Sequence, residues 1–283
     1  SVIRARMARG PVSHFEQRLC NGRACRSRAS DLVRQRPGVP RIYRGNIANA
    51  AQRRCIRPGP WSLAAGAVVR STAGTRSHVI FDISPPISES LAVWPGDTPP
   101  SREVLLDIAR GDNLTLSTLR ATVHAGAHAD APSHYGVDGQ TIDRRDLELY
   151  LGRCQVIRVQ ASPGQRIGVD LVRDPILEKR LLFATGTYVD PSHFSEDFAA
   201  LGIDLVDHLH EHGVRLVGVD TPSVDLFESK ELPAHHRILE HDMAILEGLV
   251  LSAVPAGVYE LIALPLKLVG FDASPVRAVL RSL

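Results

Sequence analysis

The 283-residue sequence is poor in the features that mark several large protein classes. Its four cysteines form no pattern: Cys20 and Cys25 are separated by four residues with no matching pair of ligands, which excludes a zinc knuckle. Cys154 opens the apolar run CQVIRV and reads as a small buried hydrophobe. Nothing in this usage demands an oxidising compartment, and the expected location is cytoplasmic. No G-x-S-x-G is present, which removes the serine-nucleophile elbow. Internal repeats and long helical periods are also missing. The apolar run from Trp61 to Val69 is too short to cross a bilayer, so no membrane partner is expected.

Acidic residues are scarce in one part of the chain only. Residues 1–76 hold sixteen Arg, no Lys and two acids, Glu16 and Asp31, whereas the remainder carries 17 basic and 29 acidic side chains. The formal net charge of +2 conceals this division, which places a boundary near Arg76. The first segment has no clear hydrophobic period, and a chain of that composition cannot offset its ordering entropy. It is expected to be a disordered basic extension. Four readings stay open for it: a non-native leader, an Arg-rich targeting peptide, a nucleic-acid-binding arm, or an export signal built on Arg53-Arg54. Nucleic acid is not expected as a partner of the protein's main activity.

Residues 77–283 are orderly. HVIFDIS at 78–84, EVLLDIA at 103–109, LTLSTLRATV at 114–123, CQVIRVQ at 154–160, LLFATG at 181–186 and VRLVGVDTPS at 214–223 read as strands. So do ILEGLVL at 245–251 and YELIALPL at 259–266, while FAALGIDLVDHLHEHG at 198–213 has helical spacing. The expectation is one α/β domain with a mixed, barrel-like sheet and few helices. Its site should lie on loops at strand ends.

The strongest chemical signal is HAGAHADAPSHY at 124–135. In an extended chain His128, Asp130, Pro132 and His134 point to one side. His124 precedes them across Gly126, which lets the backbone turn. One bent strand end can thus aim His124, His128 and Asp130 at a common point. Imidazole and carboxylate are the ligands expected for zinc or manganese. The small residues between them leave room for a ligand to approach. A second set, His235, His236, His241 and Glu247, lies in AHHRILEHDMAILEG. On one straight helix His235 and Glu247 would stand about 18 Å apart, so the pair can cooperate only if a short helix hands over to a strand near 243–245. Glu247 interrupts an apolar run, where a carboxylate is costly unless paired or bound to metal. His208, His210 and His212 read as a solvated helix face.

HAGAHADAPSH resembles the H-x-G-T-H-x-D-x-P-x-H motif of the cyclase-like metal-dependent hydrolases. Within them, WPGDTPP at 94–100, DTPSVDLFESKELPAHHRI at 220–238 and AILEGLVL at 244–251 resemble the bacterial kynurenine formamidases. The likeness runs from about 78 to 270. It implies a cyclase-like fold and two zinc ions per subunit, with manganese or another divalent metal possible. His124 and His128 would bind the first ion, His235 the second, and Asp130 and Glu247 would bridge them. His134 would be the catalytic histidine and Trp94 an aromatic contact for substrate. A homodimer or larger homo-oligomer is also implied. Ala127 stands in place of the motif's Thr, and metal binding should survive because no ligand is lost. The implied reaction is hydrolysis of N-formyl-L-kynurenine to L-kynurenine and formate, in tryptophan degradation. That linear aryl amide needs a nucleophile at neutral pH, and a divalent metal lowers the pKa of water towards ~7. Two alternatives remain: hydrolysis of another amide or lactam such as isatin at a single manganese, or a non-catalytic metal-binding module.

Overall fold

A computed structural model describes residues 78–283 and the backbone of a strand at Val68–Arg70; the rest of the basic segment, and the boundary expected near Arg76, lie outside the described residues. In chain order the strands are β1 (Val68–Arg70), β2 (Val79–Asp82), β3 (Ser101–Leu106), β4 (Leu116–Arg120), β5 (His128–Asp130), β6 (Leu151–Arg158), β7 (Arg166–Ile167), β8 (Arg180–Ala184), β9 (Ala200–Leu201), β10 (Leu216–Val219), β11 (Ala244–Glu247), β12 (Gly257–Ile262), β13 (Ala273–Pro275) and β14 (Val279–Ser282). Two α-helices occur among the described residues, α1 (Ile203–Glu211) and α2 (Pro233–Glu240).

Ten strands form one mixed sheet in the order β1-β2-β14-β12-β6-β8-β10-β11-β5-β13, curled into a half-barrel. The central pairs β6–β8, β8–β10 and β10–β11 are parallel, and the flanking pairs are antiparallel. The parallel strands carry continuous apolar runs because both of their faces are covered. Val217, Val219, Leu181 and Phe183 pack towards Leu205, Leu209 and Ile238 of the two helices. Leu182, Leu216 and Leu246 pack on the other side with Tyr150, Tyr259 and Leu261. Alternate residues of one strand thus serve opposite cores. No described helix is long and apolar enough to cross a membrane.

Three sequence expectations are adjusted. The segments at 103–109 and 114–123 are extended, but they form a separate hairpin, β3–β4, outside the main sheet. Leu105, Leu116 and Leu119 are exposed there, so the apolar content of this hairpin is not buried within the chain. The helix expected over 198–213 begins only at Ile203; Ala200–Leu201 instead pairs with β7, and Gly202 makes the transition in an extended conformation. Pro132–His134 forms a 3-10 turn, so His134 does not reach its neighbours by strand alternation.

Two glycines decide how the histidine loop meets the sheet. Gly248, directly after β11, has φ +65°, and a Cβ there would stand 2.3 Å from the carbonyl oxygen of Gly126. Gly126 itself has φ +65° and packs against Pro85. Only residues without a Cβ allow this approach. Gly248→Ala is therefore expected to destabilise the fold by about 1–3 kcal/mol, from strain and overpacking together. A urea midpoint unchanged from the parent would refute that account.

Candidate metal centre

Three chain segments converge on one point. β5 brings His128 and Asp130. β11 runs antiparallel beside it with Glu247 paired to His128 and Ile245 to Asp130, so Glu247 stands next to the histidine motif. Of the two alternatives for the second set, the structure shows the hand-over from helix to strand: α2 ends at Glu240 and β11 starts at Ala244, which folds His235 back towards Glu247. His124 enters from the turn through Gly126.

The contacts fall into two groups that share Asp130. His124 Nδ1 lies 3.1 Å and His128 Nε2 3.4 Å from Asp130 Oδ1. His235 Nε2 lies 3.7 Å from Asp130 Oδ2 and 3.5 Å from Glu247 Oε1. Glu247 Oε2 approaches His128 Nε2 at 3.3 Å. Each carboxylate thus turns one oxygen to each group. His128, Asp130, His235 and Glu247 are all buried. His128 Nε2 and both Asp130 oxygens have no hydrogen-bond partner. Buried polar atoms are seldom left so, and three at one point facing further donors fit a cation. One ligand atom each from His124, His128 and Asp130, and from Asp130, His235 and Glu247, falls within 4.8 Å of the others.

The charge balance agrees. Burial disfavours charge on Asp130, yet His124, His128 and His235 hold its carboxyl well below the usual range. Burial also opposes a proton on His128, but Asp130 and Glu247 raise it to about 10. His235 is raised well above its ordinary value by Asp130, Asp225 and Glu247, against its burial. Protons on these imidazoles compensate the carboxylates, and a divalent cation would displace them.

The outer contacts fix the rings. His128 Nδ1 donates to the Gly126 carbonyl at 2.9 Å, which directs Nε2 inwards. Asp225 does the same for His235, accepting from Nδ1 at 2.9 Å. It also accepts from the backbone N–H groups of Ala234 and His235, at a helix start whose own cap residue, Leu232, has no side-chain acceptor. Arg166 Nη1 donates to it at 2.9 Å. Asp225 lies within a motif noted above but carried no assigned role. Asp272 was not anticipated at all; it lies 3.0 Å from His124 Nε2, 148 residues away in sequence.

A pocket of about 520 Å³ opens over this centre, lined among others by Trp94, Tyr188, Phe194, His124, His134 and Glu247. Trp94 packs against Phe227, Phe194 and Phe198 with ring centroids 5.0, 5.5 and 6.4 Å away. It remains 37% exposed, leaving a flat apolar surface for a ligand. His134 sits 4.3 Å from His124 and 6.2 Å from His235, centroid to centroid. Burial holds it below the ordinary imidazole value, partly offset by Asp130. The seven residues to which the resemblance gave roles thus line one pocket or its buried floor, whereas His236 and His241 of the second set are not among the lining residues and His241 pairs instead with Asp207 at 2.8 Å. His208, His210 and His212 lie on or just after α1 and are not among the lining residues. Ala127 is buried in the core beneath, its carbonyl accepting from Val276 N at 2.9 Å.

Residues 81–226, just over half of the chain, match the family described as “Putative cyclase”. Among solved structures, a potential metal-dependent hydrolase with cyclase activity is 28% identical, with a TM-score of 0.63 over 73% of this chain and 98% of that one. A predicted metal-dependent hydrolase from Bacillus stearothermophilus is 27% identical, with a TM-score of 0.63 over 73% and 99%. Isatin hydrolase A from Labrenzia aggregata, bound to benzyl benzoate, shares the fold at 21% identity, with a TM-score of 0.62 over 72% and 94%.

Two outcomes are expected of the donor set itself. Titrating metal-free protein with zinc should release protons, and affinity should keep rising with pH past the ordinary imidazole range, towards about 10, because protons on the raised histidines compete with the metal until then; calorimetry in buffers of different ionisation enthalpy reads both. Asp225→Asn should weaken cation binding about 10–100-fold by freeing the His235 ring. Chelator competition showing unchanged affinity would remove that role from Asp225.

Proposed function

The chain belongs to the cyclase family, and from that membership we propose that it hydrolyses an aryl formamide, N-formyl-L-kynurenine, to L-kynurenine and formate. The observation that carries the reading is the double-facing pair Asp130 and Glu247, with histidines on both sides. That set suits two divalent cations, with zinc the first choice for imidazole and carboxylate donors. His124 and His128 would hold one, His235 the other, and Asp130 and Glu247 would bridge.

The cations would lower the pKa of water and polarise the formyl oxygen. The remaining work falls to side chains. Trp94 receives the aromatic ring and orients the formyl group towards the carboxylate pair. His134 accepts the proton that water loses on adding to the formyl carbon. It then delivers that proton to the aniline nitrogen as the C–N bond breaks. The burial that lowers its pKa favours the neutral ring this first step needs. A cyclic aryl amide of the isatin type is the second reading, since the same aromatic wall accepts a fused ring; it calls for one manganese. We further propose a homo-oligomer. The exposed Leu105, Leu116 and Leu119 of the β3–β4 hairpin support self-association.

Elemental analysis together with formate release tests the main reading. About two zinc per chain with turnover of N-formylkynurenine is expected; one metal with isatin turnover instead would favour the second reading, and no metal would refute both. His134→Ala should keep its metal and lose roughly 10²–10⁴-fold in kcat. Full activity in that variant would remove the proton-transfer role. Leu116→Arg with Leu119→Arg should lower the oligomeric mass seen by light scattering, and an unchanged mass would clear the hairpin of that part.

A further inference from the structure

Asp272 is a carboxylate beside two of the pocket's histidines, His124 and His134, that the reaction above leaves unused. Its Oδ2 lies 3.0 Å from His124 Nε2 and 3.5 Å from His134 Nδ1, so one oxygen sits between two imidazoles whose centroids are 4.3 Å apart. Its backbone is anchored on the motif itself. The Asp272 carbonyl accepts from Ala131 N at 2.8 Å, and the next residue, Ala273, pairs with Asp130 where β13 adds to β5. The backbone that carries the carboxylate therefore holds a fixed place relative to the candidate ligands.

We propose that Asp272 is a positioning residue that holds His134 in the tautomer and orientation for proton transfer, and ties it to the candidate ligand His124. The assignment rests on the amide-hydrolysis reading. His124 turns Nδ1 towards Asp130, which leaves Nε2–H to donate to Asp272. With His134 Nδ1–H directed at the same oxygen, Nε2 of His134 is left with its lone pair free for the pocket. That nitrogen takes the proton released by water and passes it to the leaving nitrogen, while the Nδ1 proton stays in place. Asp272 neither gains nor loses a proton in this cycle. A separation of 3.5 Å is long for a hydrogen bond, but such contacts commonly tighten when substrate is bound. The competing account is that His124, His134 and Asp272 are themselves ligands of a cation, since their donor atoms fall within 4.8 Å of one another.

The experiment compares the parent protein, Asp272→Asn, Asp272→Glu, His134→Ala and the double variant His134→Ala/Asp272→Asn. Metal per chain, urea midpoint, KM and kcat for N-formylkynurenine are measured on each. For Asp272→Asn, assayed with zinc in excess so that a loosened His124 still fills its site, we expect unchanged metal content and midpoint, KM within about twofold, and kcat lower by about 10–100-fold. Asp272→Glu should recover part of the loss. In the His134→Ala background, Asp272→Asn should change kcat by less than about twofold, because it acts through the ring already removed. A kcat for Asp272→Asn within twofold of the parent would overturn the proposal. So would independent, multiplicative losses in the double variant. Loss of one metal equivalent in Asp272→Asn would replace it with the ligand role. A parent protein that binds metal but releases no formate would remove the hydrolysis reading, and this assignment with it.

Discussion

Two carboxylates buried side by side are the constraint around which the site is built. Asp130 and Glu247 lie on adjacent strands at positions closed to solvent. Leaving such charges uncompensated costs several kcal/mol each. His124, His128 and His235 surround them, and the Val224 N–H donates to Glu247 at 2.8 Å. The oxygens of Asp130 nonetheless have no hydrogen-bond donor. The protein holds this arrangement through packing elsewhere, which is how folds keep locally unfavourable groups at functional positions.

The sheet supplies the rigidity. β11 belongs to the parallel core, covered on both faces, whereas β5 and β13 add to it antiparallel at its edge. Glu247 is thus fixed by the most buried layer, and the histidine motif is docked onto it through two glycines in close backbone contact. His235 comes from a helix whose start is capped by Asp225, so one carboxylate both ends a helix and aims an imidazole. The aromatic group around Trp94 is assembled from separate loops. The site combines a stiff polar floor with a wall of loop residues.

Much of this was legible before any coordinates. HAGAHADAPSHY announces metal chemistry because its donors are close in sequence, and short-range geometry is what a sequence states best. Glu247 could be singled out because a carboxylate inside ILEGLVL needs a partner. The central strands read correctly because burial on both faces leaves continuous apolar runs. The misreadings have specific causes. β3 and β4 are strands as their composition implies, but nothing local shows that they form a hairpin apart from the main sheet. His134 reaches its place through a 3-10 turn imposed by Pro132 at its start, not through strand alternation. Asp272 was invisible because its partners lie far upstream and GFDASP has no local pattern that links it to them. Asp225 was visible as part of a motif, but its capping role depends on where α2 begins.

The docking of β13 onto β5 has a consequence for the order of assembly. The histidine motif is made early relative to its outer neighbour in the sheet, β13, which follows it far along the chain. Such long-range pairing is slow to form, because a large loop must close first. During synthesis the edge of β5 is open and His124 lacks its second carboxylate. The central strands and both helices can already be in place at that stage. The candidate metal centre is therefore completed only once β13 has been made, and a nascent chain that stops short of β13 carries the motif without the finished site.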